Sequence, residues 1–189
     1  STQYVITAAE PWYQITFVGT RHGTANEVGG SPSTALYSCR LDGSEVKRLT
    51  YNLSSDFDPA MVWDGRLLYA TWQRPNLDRG VLGRVRLFGV NTDGGDYAAF
   101  VGPAGRRIQH MPCTTPDGLA VFVETDRALW DGAGTLAAVD LRRPLHTYRA
   151  LTAEADGLFH SPSPLPDGRL LVSRRSADGA GSYGVFCFD

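Results

Sequence analysis

Short apolar segments rich in Val, Leu, Tyr, Phe and Thr recur along the chain, each bounded by Gly or Pro. This texture predicts strands, because β-branched and aromatic residues suit a pleated surface while Gly and Pro turn the chain. No window of a dozen residues carries an i, i+3, i+4, i+7 apolar pattern free of Gly or Pro, so no substantial helix is predicted. From Arg66 to Trp72, Leu67, Tyr69 and Thr71 alternate with Leu68, Ala70 and Trp72, and both faces are therefore apolar. A sheet with one wet face would alternate apolar with polar, whereas two apolar faces require burial on both sides.

The segments repeat. Asp64-Gly65 precedes the strand Arg66 to Trp72, Asp117-Gly118 precedes Leu119 to Glu124, and Asp167-Gly168 precedes Arg169 to Arg174, at spacings of 53 and 50 residues. A proline lies five residues before each Asp-Gly, at Pro59, Pro112 and Pro162. A strand closing on Asp then recurs at Leu36 to Asp42, Leu87 to Asp93, Leu136 to Asp140 and Tyr183 to Asp189. A further strand closes on a Leu-Thr pair at Val46 to Thr50 and Tyr148 to Thr152, with a degenerate copy at Tyr97 to Gly102. Ile15 to Thr20 fits the strand that elsewhere follows Asp-Gly.

Four strands in a period of about 50 residues are the signature of a β-propeller blade. The predicted fold is all-β, a propeller with about four blades over 1–53, 54–106, 107–155 and 156–189. A β-sandwich of short strands has no reason to repeat the proline-to-Asp-Gly offset. With Gln3 to Ala8 as an innermost strand, the chain holds three complete blades and a fourth with three strands, whereas propellers close with about four to eight. Either Gln3 to Ala8 completes the last blade, or the blades belong to a larger ring. The apolar edge Tyr183 to Phe188 favours the larger ring, since an unpaired edge is a liability.

Composition narrows the function. The 189 residues, 42% hydrophobic and 20% charged, give room for one globular domain or part of a larger one. A net charge of −2 and seventeen scattered Arg beside the single Lys47 give no basic face for nucleic acid. Apolar runs such as Leu67 to Trp72 fall far below the roughly 18 residues of a membrane helix, so no membrane span is predicted. The start, Ser1-Thr2-Gln3, lacks Met and a leader, as in a mature or excised product. Cys39, Cys113 and Cys187 lie far apart, form no C-x-x-C, and are expected as buried free thiols.

Candidate chemistry gathers at the channel. Counting back seven from each Asp-Gly gives Phe57, His110 and His160, on stretches expected just before each innermost strand and facing one channel mouth. Asp56 and Asp58 flank the first. Carboxylates and imidazoles converging there suit a cation or small polar ligand. Against this, Asp56 and Asp58 would cap a turn, and the histidines would pack on Pro112 and Pro162.

His110-Met111-Pro112-Cys113 has H-x-x-C spacing but no second pair, so no metal is expected. Ala180-Gly181-Ser182-Tyr183-Gly184 lacks the first glycine of a nucleophile elbow and precedes a strand, so it reads as a hinge loop. Gly29-Gly30 and Gly132 to Gly134 read as flexible connections, and no phosphate-binding loop occurs. No catalytic residues are assigned. Trp72 is expected in the core, Trp130 as an exposed contact, and Tyr183 and Phe186 as part of an interaction surface. Asn52-Leu53-Ser54 matches the glycosylation acceptor pattern, a short pattern frequent by chance.

The stretch Leu36 to Ser44, then Lys47-Arg48-Leu49-Thr50, then Ser55-Asp56-Phe57-Asp58-Pro59, then Asp64 to Tyr69 resembles the TolB-like propeller repeat. Arg48 to Asn52 running into Asp56 to Pro59, with Arg107 to Met111 in the next blade, are most similar to the middle domain of hydrazine synthase alpha-subunit homologues. The resemblance implies a bacterial, exported propeller, periplasmic or extracellular, used for contact with a protein partner or with another copy of itself. In the hydrazine synthase case it implies flanking haem-bearing domains. This chain has no C-x-x-C-H, so no cofactor is expected within it and only the scaffold carries over. The function expected is a non-catalytic scaffold, with the propeller of a larger redox assembly, or a gate on a hydrolase, as the alternatives.

Overall fold

The structure is a computed structural model that describes residues 14–26, 30–74 and 83–189. The first blade contributes β1 (Gln14–Gly19), β2 (Ala35–Arg40) and β3 (Lys47–Arg48). The second is β4 (Asp56–Met61), β5 (Arg66–Gln73), β6 (Arg84–Asn91) and β7 (Ala98–Ala99). The third is β8 (Ile108–Thr114), β9 (Leu119–Thr125), β10 (Thr135–Asp140) and β11 (Arg149–Ala150). The last is β12 (Leu158–Pro164), β13 (Leu170–Arg175) and β14 (Gly184–Phe188). Each blade is an antiparallel meander, as the repeat predicts. One three-residue 3-10 helix, Glu154–Asp156, is the helical content of the described residues. The strand expected at Gln3 to Ala8 lies outside the described residues.

The Asp-Gly signal builds the same hairpin three times. Gly65, Gly118 and Gly168 have φ of 89°, 92° and 90°, and their N–H groups donate to the carbonyls of Val62, Thr115 and Leu165. This is a three-residue loop with a left-handed glycine, the conformation that glycine adopts without a steric penalty. Asp64 and Asp167 tighten it, each accepting from the backbone N–H two residues on at 3.1 Å.

The proline offset has its own cause. Each innermost strand is bulged, with pairing that skips from Phe57 to Ala60, from His110 to Cys113 and from His160 to Ser163. Inside the bulges, Asp58, Met111 and Ser161 take φ of 51°, 50° and 49°. Pro59, Pro112 and Pro162 follow immediately, where the strand has no ladder partner and a missing N–H costs nothing. Phe57, His110 and His160 therefore lie within the innermost strands rather than before them, because each strand begins ahead of its bulge.

The core consists of three blade interfaces. Leu36 and Leu49 of the first blade pack on Leu67, Tyr69 and Val90 of the second. Leu68, Ala70 and Leu87 of the second, with Phe100, pack on Ala120, Phe122 and Val139 of the third. Val121, Val123 and Leu136 of the third, with Leu151, pack on Phe159, Val172 and Phe188 of the fourth. Each strand thus has a forward and a backward apolar face, as the alternation at Arg66 to Trp72 requires. Leu49, Phe100 and Leu151, just beyond the short fourth strands, plug successive interfaces, and their N–H groups donate to Leu36, Leu87 and Leu136 at 2.8, 2.9 and 2.9 Å. Trp72 packs, partly buried, on the second interface. A single parallel rung between Val85 and Ile108 joins the second and third blades edge to edge.

Candidate functional site at the channel mouth

The bulges of β4 and β8 bring Asp58 and His110 together. Left-handed backbone at Asp58 turns its carboxylate toward the third blade, where Oδ2 accepts the Met111 N–H at 3.1 Å and lies 3.5 Å from His110 Nδ1. His110 Nε2 lies 2.7 Å from the Gly132 carbonyl, which only accepts, so this nitrogen carries the proton. Asp58 thus spans two blades instead of capping its own turn, and His110 anchors the loop that ends at Gly132.

That loop, from Asp126 to Gly132, carries Trp130 at its tip with 89% of its surface exposed. Its other anchor is Asp131, whose Oδ2 accepts from Arg175 at 2.8 Å and from the Tyr183 hydroxyl at 2.6 Å. The Arg175 and Asp131 side chains are 9% and 6% exposed. Burial pushes the Asp131 carboxyl up, but the Tyr183 hydroxyl, the Ala133 N–H and the Arg175 charge outweigh it and hold the pKa below the ordinary range. Burial and the bond to Asp131 push the Tyr183 phenol up. The Arg175 guanidinium also lies over the Tyr183 ring, 5.2 Å from its centroid.

His160 stands on the last blade with its ring 5.9 Å from that of Tyr183 and Nδ1 2.6 Å from Ser161 Oγ. Asp58 and His110 are in contact, and His160 joins them through Tyr183, Asp131 and the loop. Asp56 stands apart. Its side chain points back into the first interface, fully buried, with Oδ1 3.2 Å from Asn52 Nδ2 and Oδ2 without a hydrogen-bond partner among the described residues. Burial pushes its pKa up, against the pull of Thr71, Thr50 and Asn52.

Other expectations need correction. Tyr183 is not an exposed edge residue, since β14 starts at Gly184 and its hydroxyl is held by Asp131. Gly134 is no flexible connector, because it exchanges backbone hydrogen bonds with Phe159 across the blades at 3.1 and 2.7 Å. Cys187 is exposed, whereas Cys39 and Cys113 are buried, and burial pushes the Cys113 thiol up to about 12. The Asn52 amide is occupied, donating to Thr71 Oγ1 and the Trp72 carbonyl at 3.0 and 2.9 Å, which leaves it unsuited to glycosylation.

The sequence reading missed the Asp131–Arg175 pair and a second buried group. Glu124, paired across strands with Gln109, accepts from the Arg106 N–H at 3.0 Å and the Tyr148 hydroxyl at 2.6 Å. Aligning the repeats could have found it, because Asp56–Thr71, Gln109–Glu124 and Phe159–Arg174 occupy the same rung in successive blades. Among the described residues no three His, Cys, Asp or Glu side chains converge.

The outward face of the last blade is the other distinctive feature. Leu171 and Val185 are 40% and 74% exposed, while their repeat equivalents Leu68, Leu87, Val121 and Leu136 are at most 1% exposed. On the opposite face of β14, toward the third blade, Phe186 is 46% exposed and lies beside the Arg174 guanidinium.

No protein-family model matches the chain. It is 37% identical over 152 residues to hydrazine synthase subunit alpha of Kuenenia stuttgartiensis, covering 76% of this chain and 18% of that protein. The chain therefore spans less than a fifth of the curated relative it matches. It superposes on a chain of Kuenenia stuttgartiensis hydrazine synthase with a TM-score of 0.79 at 30% identity, covering 93% of this chain and 26% of that one. TolB from Acinetobacter baumannii superposes with a TM-score of 0.62 at 18% identity, covering 93% of this chain and 39% of that one, a likeness of fold. The repeats are TolB-like and homologous to part of hydrazine synthase subunit alpha, in agreement with the residues that suggested it. No helix among the described residues is long and apolar enough to cross a membrane.

Proposed function

We propose that the chain is a scaffold, a run of propeller blades whose role is contact with other protein and not bond chemistry. The observation that carries this reading is the forward face of the last blade, apolar and open at positions that the second and third blades bury completely. An apolar patch of this kind marks an interaction site. The channel mouth supports it from the other side. His110 and Asp58 are engaged in joining blades, and among the described residues the Ser161–His160 pair has neither an orienting carboxylate nor an oxyanion donor in its contacts. Asp58, His110 and His160 are read as a polar mouth able to take a small ligand.

The setting we favour is a hydrazine-synthase-alpha-like protein, exported and periplasmic or extracellular, with any redox cofactor on other domains. The 37% identity to hydrazine synthase subunit alpha favours this over the hydrolase gate. Light scattering across a concentration series tests the scaffold reading. Molar mass is expected to rise above that of the monomer, and to return to it in Val185→Asp with the strand spectrum unchanged. A monomer at every concentration overturns the reading of this face as a contact surface.

A further inference from the structure

The innermost strands of the third and last blades carry the same cradle, and only one of the two is filled. In the third blade, left-handed backbone at Met111 takes its N–H out of the ladder, and that N–H donates to Asp58 Oδ2 at 3.1 Å, with His110 Nδ1 3.5 Å from the same oxygen. A carboxylate from the blade before thus sits between a bulge N–H and an imidazole. In the last blade Ser161 takes the same conformation, φ of 49° against 50°, the pairing skips the same two positions, and His160 stands at the His110 position. The repeat therefore aims the Ser161 N–H back toward the third blade, where Met111 holds the place of Asp58.

Met111 supplies no carboxylate. Its side chain takes the direction of Asp58, packing partly buried against the interface with the last blade, but it ends in a thioether, a weak acceptor. A second tie is missing from the same seam. Thr114 Oγ1 donates to the Met61 carbonyl at 3.0 Å between the second and third blades, and the matching residue between the third and last is Pro164, which has no hydroxyl.

Ser161 is exposed, and its Oγ lies 2.6 Å from His160 Nδ1. With the imidazole proton on Nδ1, the hydroxyl accepts it and turns its own proton outward, so Ser161 offers an N–H and an O–H side by side. Donors grouped on left-handed backbone make a concave site for an anion. Arg175, over the neighbouring Tyr183 ring, is already committed to Asp131, and donors without a free guanidinium suit a singly charged carboxylate better than a phosphate.

We propose that Ser161 and His160 form a binding site for a small carboxylate ligand at the channel mouth, seated on the last blade as the Asp58 carboxylate is seated on the third. The ligand oxygen accepts the Ser161 N–H and hydroxyl, and His160 holds that hydroxyl in its donating orientation. The proposal rests on the reading of the mouth as a place for a small polar ligand and gives that ligand its chemistry.

The probe is sodium acetate, titrated into the isotope-labelled chain while backbone amide shifts are followed, with sodium chloride at equal ionic strength as the control. The Ser161 amide proton is expected to move downfield and saturate, while the Met111 amide, already held by Asp58, stays in place. Ser161→Ala is expected to weaken acetate about tenfold, the worth of one charge-assisted hydrogen bond. In Met111→Asp the chain supplies its own carboxylate, so the Ser161 amide is expected to start downfield and to ignore acetate. A Ser161 amide that does not saturate, that moves equally in chloride, or that answers acetate unchanged in either variant would overturn the proposal, and the parent titration decides the matter even where a variant fails to fold. Methylammonium chloride, titrated in parallel, separates the two readings. A mouth that binds the cation and not acetate sinks this proposal and leaves a polar-ligand site standing, whereas one that binds neither sinks both.

Discussion

Leu136 and Val185 occupy the same place in the repeat, yet the first is sealed inside an interface and the second is open to water. Both lie on an apolar third strand paired with a second strand, Leu136 opposite Val123 and Val185 opposite Ser173. The difference comes from the neighbour. A blade is two-sided by sequence but becomes buried only where another blade lies against it, so energetics are assigned per interface and not per strand.

Mutations at the paired positions test that statement most strongly. Leu136→Ala is expected to cost about 2–5 kcal/mol in urea unfolding, as for large-to-small changes in a packed core, whereas Val185→Ala, at concentrations where the chain is monomeric, should stay within about 0.5 kcal/mol, as at a surface site. Equal costs would mean that Val185 is covered in solution. Asp131→Ala comes next, at about 2–3 kcal/mol, since it leaves Arg175 and Tyr183 without their acceptor. Glu124→Ala should cost about 1–3 kcal/mol by orphaning the Arg106 N–H and the Tyr148 hydroxyl.

Two carboxylates separate the interfaces by pH. Asp131, with its pKa held low, stabilises the fold above the ordinary carboxylate range near about 4, and that contribution is lost as pH falls through its folded value. Asp56, with its pKa pushed up, takes up a proton on folding, so its contribution is greatest in acid and is lost as pH rises through its folded value. Asp56→Asn should therefore raise the melting midpoint at neutral pH, while Asp131→Asn lowers it there and converges with the parent in acid. The reverse order at neutral pH would contradict both assignments. Trp130→Ala, the smallest effect, should move stability by no more than about 0.5 kcal/mol.

The fold was legible because its signals are local. Asp-Gly turns, prolines at one offset and strands apolar on both faces each reflect backbone chemistry within a few residues. The site was legible only in part. His110 and His160 stand at matched offsets, with Asp58 one position further along in its own repeat, but nothing in the offset indicates that Asp56, two residues earlier, faces backward into an interface. The left-handed residues of the bulges are Asp, Met and Ser, which share no preference, and only the proline after each marks the place. Asp131 and Arg175 meet across blades through an insertion that the repeat does not contain, so no periodicity could bring them together.

The plugs at Leu49, Phe100 and Leu151 set the boundaries at which this chain can be divided. Each is tied by its N–H to the third strand of its own repeat, while its side chain fills the interface with the next. A segment excised from Asp56 to Val101 keeps Phe100 on Leu87 but exposes the face that the third blade covers. One excised from just before a plug to just before the next would cut that plug from the third strand whose carbonyl it holds. Duplication or recombination of such blades should therefore succeed where a blade moves together with its plug, and fail at junctions between a third strand and the plug that follows it.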